Sequence, residues 1–288
     1  VAETSAATGV TALNINGFSV GTAATGYNIN TNAYTYVGWQ WQAGQGTTSS
    51  NTSGSITSTV SVNTTAGFSV VTYTGNNTSG ATVGHGLGVA PKMVIVKNRS
   101  TTTDWGVYHT SLSANNTIWL NLTNAQQSIS TTVQGGISST SSTTFTCTNG
   151  TTNGIVANGS GNSMVAYCFA EVPGFSKFSS YTGNGSTDGP FVYLGFRPKF
   201  ILIKCSSAAA TNWPMVDTAR NTYNVTNLEL DANSSSAEQT GSSTTMPNMD
   251  ILSNGFKLRT TSAGGNTNGG TYIYAAFAEN PFKNALAR

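Results

Sequence analysis

Charge is what this sequence has least of. Its 288 residues carry 12 Lys+Arg and 10 Asp+Glu, 8% of the chain, against about 25% in ordinary soluble domains. A net charge of +2 offers no phosphate-neutralising surface, so nucleic-acid binding is excluded. Long apolar runs are also missing. No stretch approaches the ~18 residues of a helical membrane span, so no membrane insertion is expected. Cysteine is scarce, and the three present, Cys147, Cys168 and Cys205, are an odd number. That argues against a secreted disulfide scaffold. No CxxC and no Cys/His cluster of zinc spacing occurs, and no cofactor is expected. Helical periodicity is absent too: no segment keeps i, i+3, i+4 apolar spacing for three turns.

What fills the space is Thr, Ser, Asn and Gly. The 10% aromatic content argues against simple disorder. The strongest positive signal is internal repetition. GFSVVTYTGN at 67–76 returns as GFSKFSSYTGN at 174–184, and LGVAPKMVIVK at 87–97 as LGFRPKFILIK at 194–204. DWGVYHT at 104–110 answers NWPMVDT at 212–218, and VAYCFAEVPGF at 165–175 answers IYAAFAENPF at 273–282. The offset holds at about 107 residues throughout, the mark of a tandem duplication. A partial third copy precedes them: NGFSV at 16–20 resembles NGFKL at 254–258, and YVGWQWQ at 36–42 falls on MVAYCFA at 164–170.

The expected organisation is the second half of a truncated repeat over 1–43, then a Ser/Thr/Asn-rich linker over 44–66. Repeat A follows over 67–173 and repeat B over 174–288. The opening VAETSAATGV has neither the basic nor the apolar region of a signal peptide. Because the chain begins inside a repeat, it is expected to be part of a longer product. Within the linker, SITSTVSV alternates like an edge strand.

Short apolar runs at 93–96 and 200–203 follow Pro91 and Pro198, as in strands buried on both faces. The closing strand of each unit alternates instead. Val37, Trp39 and Trp41, then Val165, Tyr167 and Phe169, then Ile273, Ala275 and Phe277 form one side. Gly, Gln, Ala or Cys, and once Tyr274, form the other. Period two is strand geometry, and the bulky side is expected to face each unit's own core. A unit of this size suits a two-sheet sandwich. The fold expected is all-β: tandem antiparallel β-sandwich repeats preceded by a partial repeat.

The duplication sorts candidate chemistry from framework. Glu171 and Glu279 occupy the same place. A glycosidase would pair carboxylates across a substrate, but strand-end acids bonding nearby backbone are the simpler reading. Lys97 and Lys204 end the central strand twice, and Trp105 and Trp213 recur as core or sheet-edge aromatics. Cys147 aligns with Leu258 and Val20, and Cys168 with Ala276 and Gln40. Free, buried thiols are expected, compatible with a reducing cytoplasm during assembly. Cys205 has no assigned role.

His85 aligns with Val192 and His109 with Asp217. Neither has a triad partner in view, and both are expected on exposed turns. The acids Asp104, Asp188, Asp217, Asp231 and Asp250 are scattered singly, so neither a calcium loop nor a catalytic pair is expected. GSTDGP at 185–190 reads as a turn. Tyr73, Tyr181, Tyr193 and Tyr223 are candidates for sugar stacking or for core. No catalytic, cofactor-binding or metal residue is assigned, and ligand-binding residues stay unassigned.

TAGFSVVTYTGN, VGHGLGVAPKMVIVKNRS, VAYCFAEVPGFSKF, DTARNTYN and TYIYAAFAENPFK resemble the repeated C-terminal module of virion structural proteins of tailed marine bacteriophages. These are often described as tail-fibre or adhesin-like. The resemblance covers nearly all of 13–288 and implies that ENPFKNALAR is the natural C-terminus. It also implies a non-enzymatic virion protein on the particle exterior, assembled in the bacterial cytoplasm. Expected partners are copies of itself, with a trimer as the prior for fibres, other virion proteins and a host surface glycan. The first functional reading is a tail-fibre or receptor-binding appendage. The alternative is a head fibre, capsid decoration or other virion spacer, and a third is a bacterial surface adhesin.

Overall fold

The structure is a computed structural model. It describes residues 2–4, 9–22, 29–131, 134–149, 156–240 and 247–279, so most of ENPFKNALAR lies outside the described residues. Among those described there is no helix.

The chain opens with β1 (Val10–Asn14) and β2 (Gly17–Val20), a hairpin. Next come β3 (Ser49–Asn51) and β4 (Ser58–Asn63). The first repeat carries β5 (Phe68–Thr74), β6 (Ala81–Gly84), β7 (Met93–Asn98), β8 (Gly106–His109) and β9 (Asn116–Trp119). It continues with β10 (Gln127–Ser128), β11 (Gly136–Thr140), β12 (Thr144–Thr148) and β13 (Ser163–Phe169). The second carries β14 (Ser176–Thr182), β15 (Phe191–Tyr193), β16 (Pro198–Cys205), β17 (Pro214–Asp217) and β18 (Leu228–Asp231). It closes with β19 (Gln239–Thr240), β20 (Met249–Leu252), β21 (Gly255–Leu258) and β22 (Thr271–Ala278).

In the first repeat the larger sheet has the order β10-β9-β8-β7-β13-β5-β4-β3 and the smaller β11-β12-β6. In the second the orders are β14-β22-β16-β17-β18-β19 and β15-β21-β20. Exchanging each strand for its equivalent makes the topologies identical, apart from β3 and β4. Those two come from residues 44–66. The expected linker is therefore built into the fold. Its alternating SITSTVSV pairs along β5 as β4, with β3 outside it.

Each repeat is an antiparallel sandwich with its own core between large and small sheets. Val71, Val94, Val96, Ala166 and Cys168 meet Val83, Ile137, Phe145 and Cys147 in the first. Ile201, Ile203, Tyr274 and Ala276 meet Val192, Ile251, Phe256 and Leu258 in the second. A third apolar cluster lies between the two large sheets. It joins Phe68, Met93, Val107, Ile118 and Phe169 to Phe178, Phe200, Leu202, Trp213 and Phe277. The molecule is thus four sheets deep, small–large–large–small.

This corrects the expected orientation of the closing strands. The bulky rows of β13 and β22 face the other repeat, and the rows holding Ala166, Cys168, Ala276 and Ala278 face their own cores. Alternation shows which side chains share a face. It does not say which buried layer that face meets, and here both faces are buried. Trp39 and Trp41 enter the same inter-repeat layer. Trp41 sits edge-on to Phe200 and Phe277 with centroids 5.4 and 5.3 Å away.

Candidate functional site

The recurring polar residues belong to the frame. The phenol of Tyr73 donates to the Ala157 carbonyl at 2.6 Å, and that of Tyr181 to Gly265 at 2.8 Å. Both are core residues. Asn76 and Asn158 form a reciprocal pair, as Asn184 and Asn266 do. In each, the buried side-chain oxygen accepts the partner's backbone N–H at 2.8 Å. Gly75 and Gly183 pass so close to the Gly159 and Thr267 carbonyls that a Cβ would collide. These contacts account for the duplicated Tyr-Thr-Gly-Asn.

Lys97 donates to the Thr103 carbonyl at 2.5 Å. Lys204, fully buried, donates to the carbonyl and hydroxyl of Thr211 and to the Thr123 carbonyl across the inter-repeat layer at 3.1 Å. Burial draws its ammonium down to about 8. Glu171 accepts the Phe178 N–H at 3.2 Å, while Glu279 instead pairs with Arg197 at 2.8 Å. The three thiols are free and buried, and burial pushes Cys147 up to about 12. Cys205 takes its place in the second core.

Both histidines depart from expectation, because both are buried. The rings are fastened in the same way. Nε2–H of His85 points to the Ser141 carbonyl and that of His109 to Tyr274 in the other repeat, each at 3.1 Å. Nδ1 accepts the Leu87 or Ser111 N–H. Desolvation lowers both pKa values, His109 to about 4, so both are neutral supports. The strand register puts His85 opposite Leu194 and not Val192 in the second repeat, and Leu194 is a buried position.

The acids are not all dispersed either. Arg220 holds Asp217 at 2.7 Å and Glu238 at 2.9 Å. Glu229 and Asp231, two apart on β18, share its inner face and are buried. Burial and the adjacent Asp231 push Glu229 up to about 9, so it keeps its proton. Asn212 and Gln239 donate to Asp231. Asp188 is exposed and pairs with Lys257 and Arg259. Among the described residues, no group of three or more His, Cys, Asp or Glu is placed to hold a metal.

One recess brings aromatic rings together with charged side chains at the surface. It holds about 610 Å³ on the outer face of the first repeat's large sheet, beyond the area covered by the second repeat. Trp105 and Tyr167 form its wall, stacked at 21° with centroids 6.4 Å apart. Lys97 Nζ lies 6.0 Å from the Trp105 centroid. Arg99, paired with Glu3 at 2.5 Å, forms the rim. Flat aromatic faces beside a cation and a carboxylate offer apolar stacking with directional hydrogen bonds.

The duplicate tryptophan shows why this recess is open. Trp213 is only 2% exposed and donates from Nε1 to the Trp119 carbonyl at 2.7 Å. Tyr167 corresponds to Ala275, so the second repeat has nothing to stack there. Of the other tyrosines, Tyr193 and Tyr223 are exposed, and neither lines this recess.

Residues 1–281 match DUF7483, described as a domain of unknown function, and the chain belongs to that family. No curated protein and no solved structure matches the chain.

Proposed function

Starting from membership in a family of unknown function, we propose that this chain is a non-enzymatic structural component of a phage virion. In this reading it is a tail-fibre or receptor-binding appendage exposed on the particle exterior. The observation that carries the reading is the Trp105–Tyr167 recess, open on a scaffold whose recurring polar groups serve the frame. A host surface glycan suits such a recess. Pyranose faces stack on aromatic rings, and sugar hydroxyls hydrogen-bond to the Arg99–Glu3 rim.

The low charge supports an exterior role as well, since few surface ion pairs are available for salt to disrupt. Self-association, with a trimer as first expectation, and attachment to other virion proteins belong to the same proposal. Cryo-electron microscopy of particles tests location. Density for this fold at the tail tip supports the fibre reading, density on the capsid moves it to a head decoration, and absence from particles overturns both. A glycan array with purified chain tests the recess: binding that disappears in Trp105→Ala is expected, and binding unaffected by that change refutes the assignment.

A further inference from the structure

Among the described residues, 10–22 and 36–42 are laid out like parts of the second half of a repeat. The β1–β2 hairpin pairs Val10 with Val20 and Leu13 with Phe18, with an irregularity between Val10 and Ala12. The β11–β12 hairpin pairs Ile137 with Cys147 and Thr140 with Phe145, with its irregularity between Ile137 and Ser139. Register and bulge coincide. The Phe18 ring lies over Gly38, where a Cβ would stand 3.2 Å from it, just as Phe256 sits edge-on to Tyr274 at 5.7 Å.

Along the segment after the hairpin, Val37, Trp39 and Trp41 are half-buried while Tyr36, Gly38, Gln40 and Gln42 are exposed. Trp39 and Trp41 of the half-buried row reach the inter-repeat layer, as the bulky rows of β13 and β22 do. The exposed row corresponds to their inward rows. The wall of a core is present, and among the described residues it is left uncovered: Leu13 is 85% exposed and Phe18 39%, where Ile251 and Phe256 are buried at 4% and 0%.

The complete repeats show what belongs there. β12 takes β6 along its free edge, and β21 takes β15. β13 lies between β5 and β7, and β22 between β14 and β16. Among the described residues β2 pairs with β1 alone, and residues 36–42 lie in no strand.

We infer that the open face formed by residues 10–20 and 36–42 receives the first half of a repeat of this same kind, which adds a β6-type strand to β2 and flanks residues 36–42 with β5- and β7-type strands. The added strands would continue an interface that Trp39 and Trp41 already occupy. Backbone pairing supplies the affinity, and Leu13, Phe18 and Val20 supply the apolar seats. Gln40 and Gln42 stand where Cys168 and Ala170 are buried, so the incoming half must present hydrogen-bonding groups opposite them. This inference does not depend on the virion reading.

The test uses the full chain and a synthetic peptide copying residues 174–204, with a shuffled peptide as control. Saturable one-to-one binding is expected, with amide exchange in β2 slowed by about tenfold or more. A Leu13→Ser/Phe18→Ser variant should lose that binding by at least about tenfold. Ile15→Ser should not: Ile15 is 99% exposed but lies at the turn, where the second repeat has Ser253. Absence of binding, protection confined to β6 or β15, or equal loss in Ile15→Ser would overturn the inference. So would a dimer of the chain that the double variant abolishes, since the face would then belong to a second copy.

Discussion

Trp105 and Trp213 are the same residue in two copies of one motif, and they do different work. Trp213 fills the inter-repeat layer and bonds the Trp119 carbonyl; Trp105 lines the open recess. Trp213→Ala should cost about 3–5 kcal/mol, the usual range for a buried aromatic truncated to alanine. Trp105→Ala should cost less than about 1.5 kcal/mol, because its ring is only partly buried and its stacking partner remains. Urea unfolding of both variants checks this, and equal losses would contradict the division of roles. The sequence made the pair visible. It could not separate them, because the difference lies in what the other repeat covers.

His109 gives a second residue-scale prediction. Its pKa in the fold, about 4, lies below the ~6.5 of a free imidazole. The unfolded chain therefore binds the proton more readily. The stability concerned is complete above pH ~6.5 and is lost as pH falls through 4, a change of roughly 3 kcal/mol. His109→Gln can keep a donor for the Tyr274 carbonyl without titrating. Unfolding between pH 7 and pH 4 should show a shallower acid limb for this variant; an unchanged limb would mean that His109 does not carry it. The remaining slope belongs partly to His85, shifted in the same direction.

At the scale of elements, alternation was a good guide to strands and a poor guide to layers. The rows of β13 and β22 were legible from spacing alone, and so was β4 within the Ser/Thr-rich stretch. The direction each row faces was not legible, because a strand buried on both sides carries no mark of which layer is its own. The sequence did hold one unused clue: Leu-Glu-Leu-Asp over β18 places Glu229 and Asp231 on one face by the same period-two rule. The segment carrying Trp39 and Trp41 shows the cost of missing partners. It has strand-like alternation but no ladder, and its place is set by rings. Trp41, against Phe169, Phe200 and Phe277, should lose about 2–3 kcal/mol as Trp41→Ala. Trp41→Phe should recover part of that. Differential scanning calorimetry would read both, and a Trp41→Ala melting temperature equal to wild type would show that the segment contributes nothing to the core.

For the whole molecule, the inter-repeat layer joins the two sandwiches into one thermodynamic body. His109, Trp213 and Lys204 each bond across it, to Tyr274, Trp119 and Thr123. Thermal unfolding should therefore show a single transition with calorimetric and van't Hoff enthalpies in agreement. Two separated transitions would mean that the sandwiches are independent. The scarcity of charge fits this arrangement: with so much sheet surface buried between like units, neutral side chains avoid desolvation costs that ionised ones would incur.

The face-to-face pairing of the large sheets also limits growth. Both repeats spend their large-sheet faces on this contact, although not symmetrically, since Trp213 is buried in the layer and its duplicate Trp105 lies outside it. A solenoid lengthens because each unit presents one face and receives another, but here both large-sheet faces meet and leave no equivalent site for a third complete unit. Additional repeats would have to attach sideways, as the segment carrying Trp39 and Trp41 does at the rim, so the assembly would broaden and not simply lengthen.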